Sequence, residues 1–175
     1  MIRQSIIKEF AEWAAFSATR SGCPVKSRKE LYPLIREPRY SKILEGDRII
    51  TAQEFDEWHK ENTIRICDKN ARLPVGWGTK LINMYLKTLV YIAREGRKGL
   101  IECIHPPIDS WLWKGIKKVY NDDNDIIEMT HVVTQIKDIT SYEIYQKIID
   151  GCRLIAQRRG CLLIELEELR LGIEI

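Results

Sequence analysis

No stretch of this sequence approaches the roughly 18 to 20 uninterrupted apolar residues that a membrane-spanning helix needs, so no membrane partner is expected. The N-terminal run MIRQSIIKEFAEWAAF breaks its apolar residues with Lys8, Glu9 and Glu12, which argues against a signal peptide. Cysteine is sparse and odd in number. Cys23, Cys67, Cys103, Cys152 and Cys161 form no C-x-x-C pair and lack the spacing of a four-cysteine iron–sulfur loop. That argues against a disulfide framework or a four-cysteine zinc site and suits reduced thiols in a cytoplasmic protein. Histidine is scarcer still. His59, His105 and His131 stand far apart, without His-x-x-x-His or His-Glu-x-x-His spacing, so no metal or cofactor is expected. Excess charge is small too: a net +3 neither demands nor excludes a nucleic-acid partner, and what matters is whether the cations gather on one face. Repeats, low-complexity tracts and clear internal boundaries are lacking.

What is present is enough apolar material, 45% of residues, to bury a core, with charges mixed along the chain. The pattern predicts a mainly α, compact helical domain spanning residues 1–175. Ile2, Ile6, Phe10, Trp13 and Ser17 recur at helical spacing, with Ile7, Ala14 and Ala18 beside them, and predict a docked amphipathic helix over residues 2–18. Residues 19–48 hold Pro24, Pro33 and Pro38 with Gly22 and Gly46, and read as loop and short helical turns. This stretch is basic, from Arg20 to Lys42, as a solvated connector would be. Thr51-Ala52-Gln53-Glu54 forms a capping box that opens a helix over 51–70. Another helix is predicted from Gly78 to Ala93, with Leu81, Met84, Tyr85, Thr88 and Ile92 on one side. The sequence Ile104-His105-Pro106-Pro107 is expected to be extended, since a residue before proline avoids the α region. Asp109 or Ser110 then caps a helix through Tyr120. Residues 121–125 read as an acidic turn without the glycine or closing glutamate of an EF-hand. Thr140-Ser141-Tyr142-Glu143 is a second capping box, opening a helix that ends near Gly160. Cys161 to Leu166 fits a strand and a helix equally.

The segment Leu73-Pro74-Val75-Gly76-Trp77-Gly78-Thr79-Lys80 carries the most chemical information. A Gly-x-Gly turn opening into a helix lets backbone N–H groups approach a phosphate, with Lys80 expected in the first turn of that helix. A dinucleotide fingerprint or a P-loop would need further residues that are absent. A plainer use of Gly76 and Gly78 is a tight interhelical turn. The second element is Pro107-Ile108-Asp109, in which a rigid approach sets a carboxylate at a helix start. Capping alone would account for it.

Together, Gly76-Trp77-Gly78-Thr79-Lys80 and Pro107-Ile108-Asp109 resemble the hairpin and later aspartate of the helix-hairpin-helix DNA glycosylase superfamily, over residues 73 to 115. Val75 is an extra residue in that hairpin, and the interval from Lys80 to Asp109 is longer than in most of the family. The resemblance implies a helix-hairpin-helix-like element and a DNA-binding protein with duplex DNA as partner. It assigns Lys80 as the amine that attacks the sugar C1′ and Asp109 as the carboxylate that assists base departure. By the same likeness Gly76, Trp77, Gly78, Thr79, Lys87 and Lys114 would touch DNA, and Trp111 and Trp113 would stack an extruded base. Trp111 and Trp113 lie two apart and cannot both face the core of one helix. Alternatives stay open: a non-catalytic helical module for DNA or protein, in which the tryptophans are core and the lysines a solvated face.

Overall fold

Short polar side chains set the helix starts of this protein. In the computed structural model, which describes residues 2–19 and 22–170, Thr51 opens the longest N-terminal-half helix. Its Oγ1 accepts the Glu54 amide at 3.2 Å, and Glu54 Oε2 accepts the Thr51 amide at 3.0 Å. The helices are α1 (Ile2–Ser17), α2 (Arg28–Arg36), α3 (Ser41–Leu44), α4 (Ala52–Lys69), α5 (Val75–Leu86), α6 (Leu100–Cys103), α7 (Ser110–Tyr120), α8 (Asn124–Thr130) and α9 (Tyr142–Arg159). A π-helical segment, Lys87–Ile92, continues α5, and 3₁₀ turns occupy Ile136–Asp138 and Leu163–Leu169. Among the described residues there is no strand, and no helix is long and apolar enough to cross a membrane.

Several expectations change. α1 forms where anticipated, but Ala11 and Ala15 make its buried face, while Ile2, Ile6, Phe10 and Trp13 face outward. Small side chains let α1 lie close against α5, so the bulky stripe is left on the opposite side. The proline-rich connector holds more order than expected: Ser27 caps α2, which buries Leu31, Leu34 and Ile35. Arg20 lies outside the described residues. The helix expected from Gly78 begins at Val75. Its far end widens, with the Ala93 amide bonded to the Thr88 carbonyl. The extra residue per turn rotates the register and turns Ile92 out to solvent. Ser141, one residue later than expected, caps α9 by accepting the Ile144 amide at 3.3 Å. The undecided stretch after Cys161 is a tight 3₁₀ helix. Asp109, of the two candidates, is the cap of α7.

Two apolar clusters result. One joins α1, α2, α4 and α5 around Leu31, Phe55, Leu81 and Leu86. The other joins α7, α8, α9 and the final 3₁₀ turn around Leu112, Ile126, Tyr145 and Ile148. Ile136 packs against both. Gly115 makes the close approach inside the second cluster, since a Cβ there would overlap the Leu169 carbonyl. α5 and the extended Ile104–Ile108 segment run along the junction, and the candidate site lies on them.

Candidate functional site

The extended segment after α6 is committed to its path by Pro106 and Pro107, and it delivers Asp109 to the start of α7. Asp109 Oδ1 accepts the amides of Trp111 at 3.1 Å and Leu112 at 3.0 Å. Its Oδ2 accepts Arg170 at 2.8 Å and lies 3.9 Å from Lys80 Nζ. Lys80 extends from the second turn of α5 over the Trp77 ring, 5.3 Å from its centroid. Burial lowers the Lys80 pKa below the usual lysine value, against the pull of Asp109, which favours the charged amine. Two helix starts thus meet as an amine and a carboxylate.

These groups line a cleft of about 630 Å³, a size that suits a small ring-bearing ligand. Trp13 and Ser17 of α1, Trp77, Lys80 and Met84 of α5, and Asp109 and Trp111 at the start of α7 line it. The Ser17 hydroxyl and the Trp77 indole N–H are buried without a hydrogen-bond partner among the described residues, and both belong to residues of this cleft.

The sequence-derived candidates divide. Lys80, Asp109, Trp77 and Trp111 come together. The glycines do not present amides to solvent. The Gly76 amide donates to the Ile139 carbonyl at 3.0 Å and the Gly78 amide to the Pro74 carbonyl at 3.2 Å. Both glycines lie inside the first turn of α5, and their role is close packing. A Cβ on Gly76 would run into the Ile136 carbonyl oxygen, and one on Gly78 would lie 3.2 Å from Cys67 Sγ on α4. Thr79 is buried, its hydroxyl donating to the Gly76 carbonyl at 2.9 Å. Lys87 is ion-paired to Glu167. Trp113 is 3% exposed, with its indole N–H donating to the Thr130 carbonyl at 2.8 Å, so neither ring face is open to a base. Lys114 is exposed, its ammonium 4.9 Å from the Trp111 ring centroid. Arg170 and Trp13 complete the site and were missed. Arg170 follows a segment whose periodicity is ambiguous, and Trp13 sits in a stripe that reads as core.

A second polar cluster lies beneath the cleft, on the same two chain segments. The Tyr142 hydroxyl lies 2.8 Å from His59 Nδ1 and 3.3 Å from the Asp56 carbonyl, and His59 Nε2 lies 2.9 Å from Asn83 Oδ1. Asn83 Nδ2 donates to the Tyr145 hydroxyl at 2.8 Å and the Pro106 carbonyl at 3.2 Å. Tyr145 donates to His105 Nδ1 at 2.9 Å, and His105 Nε2 to Asp56 Oδ1 at 3.0 Å. Arg153 closes the chain on Asp56 at 2.7 Å. Burial lowers both histidine pKa values and favours the neutral rings this pattern requires. Burial opposes ionisation of Asp56, but the bonds from His105 and Arg153 outweigh it and hold its pKa at about 2. Asn83 is the next turn after Lys80, and Pro106 precedes Asp109 by three residues. The network therefore ties together the two segments that carry the cleft pair. Among the described residues no group of three His, Cys, Asp or Glu side chains is placed to hold a metal.

No family model, curated protein or solved structure matches this chain, so the site is read from its own geometry.

Proposed function

We propose that this chain is a DNA-binding protein of the glycosylase-like class and that the Lys80–Asp109 cleft takes a nucleobase and cleaves its N-glycosidic bond. The observation that carries the reading is the meeting of a buried amine and a carboxylate in an open cleft lined by tryptophan. Burial makes the Lys80 proton easier to remove, as a nucleophilic amine requires. The amine lone pair forms the bond to C1′ as the base leaves with the electrons of the C1′–N bond and takes up a proton. The Asp109 carboxylate stabilises the positive charge that develops on the sugar. The nitrogen lone pair then forms the C1′=N bond as the C1′–O4′ bond breaks, O4′ leaves with that electron pair and takes up the remaining nitrogen proton, and a Schiff base to Lys80 results.

A second reading is favoured by one specific observation. Both Asp109 oxygens already hold partners, two amides and Arg170. A carboxylate so engaged suits a cleft that grips a base without cleaving it, in a non-catalytic module.

Borohydride trapping on a panel of damaged oligonucleotides separates the two, because only a Schiff base is captured. An adduct that disappears in Lys80→Gln supports excision. No adduct on any lesion, with nucleic-acid binding intact, removes excision and leaves the gripping module.

A further inference from the structure

The outward face of α7 begins at the cleft mouth. Leu112, Trp113, Gly115 and Ile116 point into the core, which leaves Trp111, Lys114, Lys117 and Lys118 on the exposed side. Trp111 and Lys114 are three residues apart and Lys114 and Lys118 four, so they form one row along the helix. Lys42, Lys60, Lys69, Lys80 and Lys87 have a carboxylate within 4.0 Å; the other lysines, among them Lys114, Lys117, Lys118 and Lys137, have none among the described residues, and three of these share the one exposed face of α7. Lys137 also lines the cleft. A run of unneutralised ammonium groups raises a local positive potential that the small net charge conceals.

α1 also exposes aromatic rings at this cleft. Trp13, which lines it, is 47% exposed and its neighbour Phe10 52%, with ring centroids 5.5 Å apart, and Trp111, which lines it too, is 48% exposed. Half-exposed aromatic rings lining a cleft offer flat surfaces on which a ligand can stack. Flat bases do so through their π faces, and sequence hardly matters. In a duplex those faces are hidden in the stack. The charge is uneven as well: α1 carries Arg3 and Lys8 with Glu9 and with Glu12, which Arg36 of α2 holds, whereas the exposed face of α7 carries Lys114, Lys117 and Lys118 and no acidic residue. Two phosphate backbones flanking a groove would require cations on both walls, and one backbone requires them on one. The α7 face exposes only Trp111 and Val119 as large apolar groups, too few to anchor a helix in a lipid interface.

We infer that the partner is an unpaired nucleic-acid strand, its phosphates along Lys114, Lys117 and Lys118 and its bases stacked on Trp111, Trp13 and Phe10. This rests on the proposed nucleic-acid reading of the cleft and narrows its partner from a duplex to a single strand.

Fluorescence anisotropy with a labelled oligothymidylate, and with a hairpin duplex of equal nucleotide count, tests it on the full chain. The single strand is expected to bind at least tenfold more tightly and to quench tryptophan emission. Replacing Lys114, Lys117 and Lys118 together by Ala is expected to weaken binding and to reduce the salt slope by about 2, near 0.7 for each lost phosphate contact. Trp13→Ala and Trp111→Ala are expected to weaken binding about 5- to 100-fold each with the salt slope unchanged. Circular dichroism of each variant distinguishes lost contacts from lost folding, since these side chains are exposed. Equal or tighter binding to the duplex overturns the inference, as does anionic-vesicle binding equal to that of the oligonucleotide. Duplex preference with a trapped adduct overturns the single-strand track alone. Single-strand binding without any adduct overturns excision alone.

Discussion

Two polar clusters sit on the same pair of chain segments and behave oppositely. In the lower one, from Tyr142 through His59, Asn83, Tyr145 and His105 to Asp56, every side chain has a hydrogen-bond partner within the cluster. The upper one holds an amine 3.9 Å from its carboxylate, and two other residues lining the same cleft, Ser17 and Trp77, each carry a buried polar atom without a partner among the described residues. A closed network of buried polar groups rigidifies a fold, while an open one leaves interactions for a ligand. The lower cluster joins the two segments, and the upper one is the candidate site that the proposed function places on them. This also explains why they are neighbours: an amine and a carboxylate held at a useful separation need a stiff mount, and Asn83 provides it by joining α5 to Pro106.

The sharpest way to break this comparison is Asn83→Leu. It leaves His59, Tyr145 and the Pro106 carbonyl without their partner, at about 1–3 kcal/mol for each buried group. A total loss on the order of 4 kcal/mol is expected in urea denaturation. A loss under about 1 kcal/mol would show that the lower cluster is not what holds the segments together.

Gly76→Ala is expected to rank second, at about 1–3 kcal/mol, because the new methyl collides with the Ile136 carbonyl. Gly78→Ala should cost less, since its nearest neighbours are the side chains of Cys67 and Thr63, which can shift. If Gly76→Ala kept full stability and lost only nucleic-acid binding, the packing account of the glycines would fail.

Acid should act through the lower cluster. The folded-state pKa values of His59 and His105 are depressed, so below about pH 6.5 the unfolded chain binds more protons than the folded one. Stability is then expected to fall as pH drops through that range. Asp56 adds a second loss: its contribution is present above about pH 4 and disappears as pH falls toward its folded value of about 2. A melting temperature flat from pH 7 to pH 5 would contradict neutral buried histidines.

Lys80→Met is expected to raise stability by about 1 kcal/mol. It removes an amine that burial disfavours, while Asp109 keeps Arg170 and two amides. A loss of stability instead would move Lys80 from the candidate site to the supporting cluster. Trp111→Ala should change stability least, within about 0.5 kcal/mol, as measured by thermal melting.

Much of the helical order was legible because it is local. The capping residues Thr51 and Asp109 mark their helices with hydrogen bonds that close within three residues. Pro106 and Pro107 impose an extended path whatever surrounds them. From such features the sequence by itself determined a mainly helical chain and set Lys80 and Asp109 near two helix starts. Which face of α1 would be buried was not legible: Phe10 and Trp13 are as apolar as any core residue, and only the close fit of Ala11 and Ala15 against the neighbouring helices turned them outward. Nor could spacing show that the Gly76 amide bonds to Ile139, or that His59 and His105, far apart in sequence, meet through Tyr145 and Asn83. Those outcomes depend on contacts between distant segments, whose free energy exists only once the helices pack, and so the tertiary structure alone decided them.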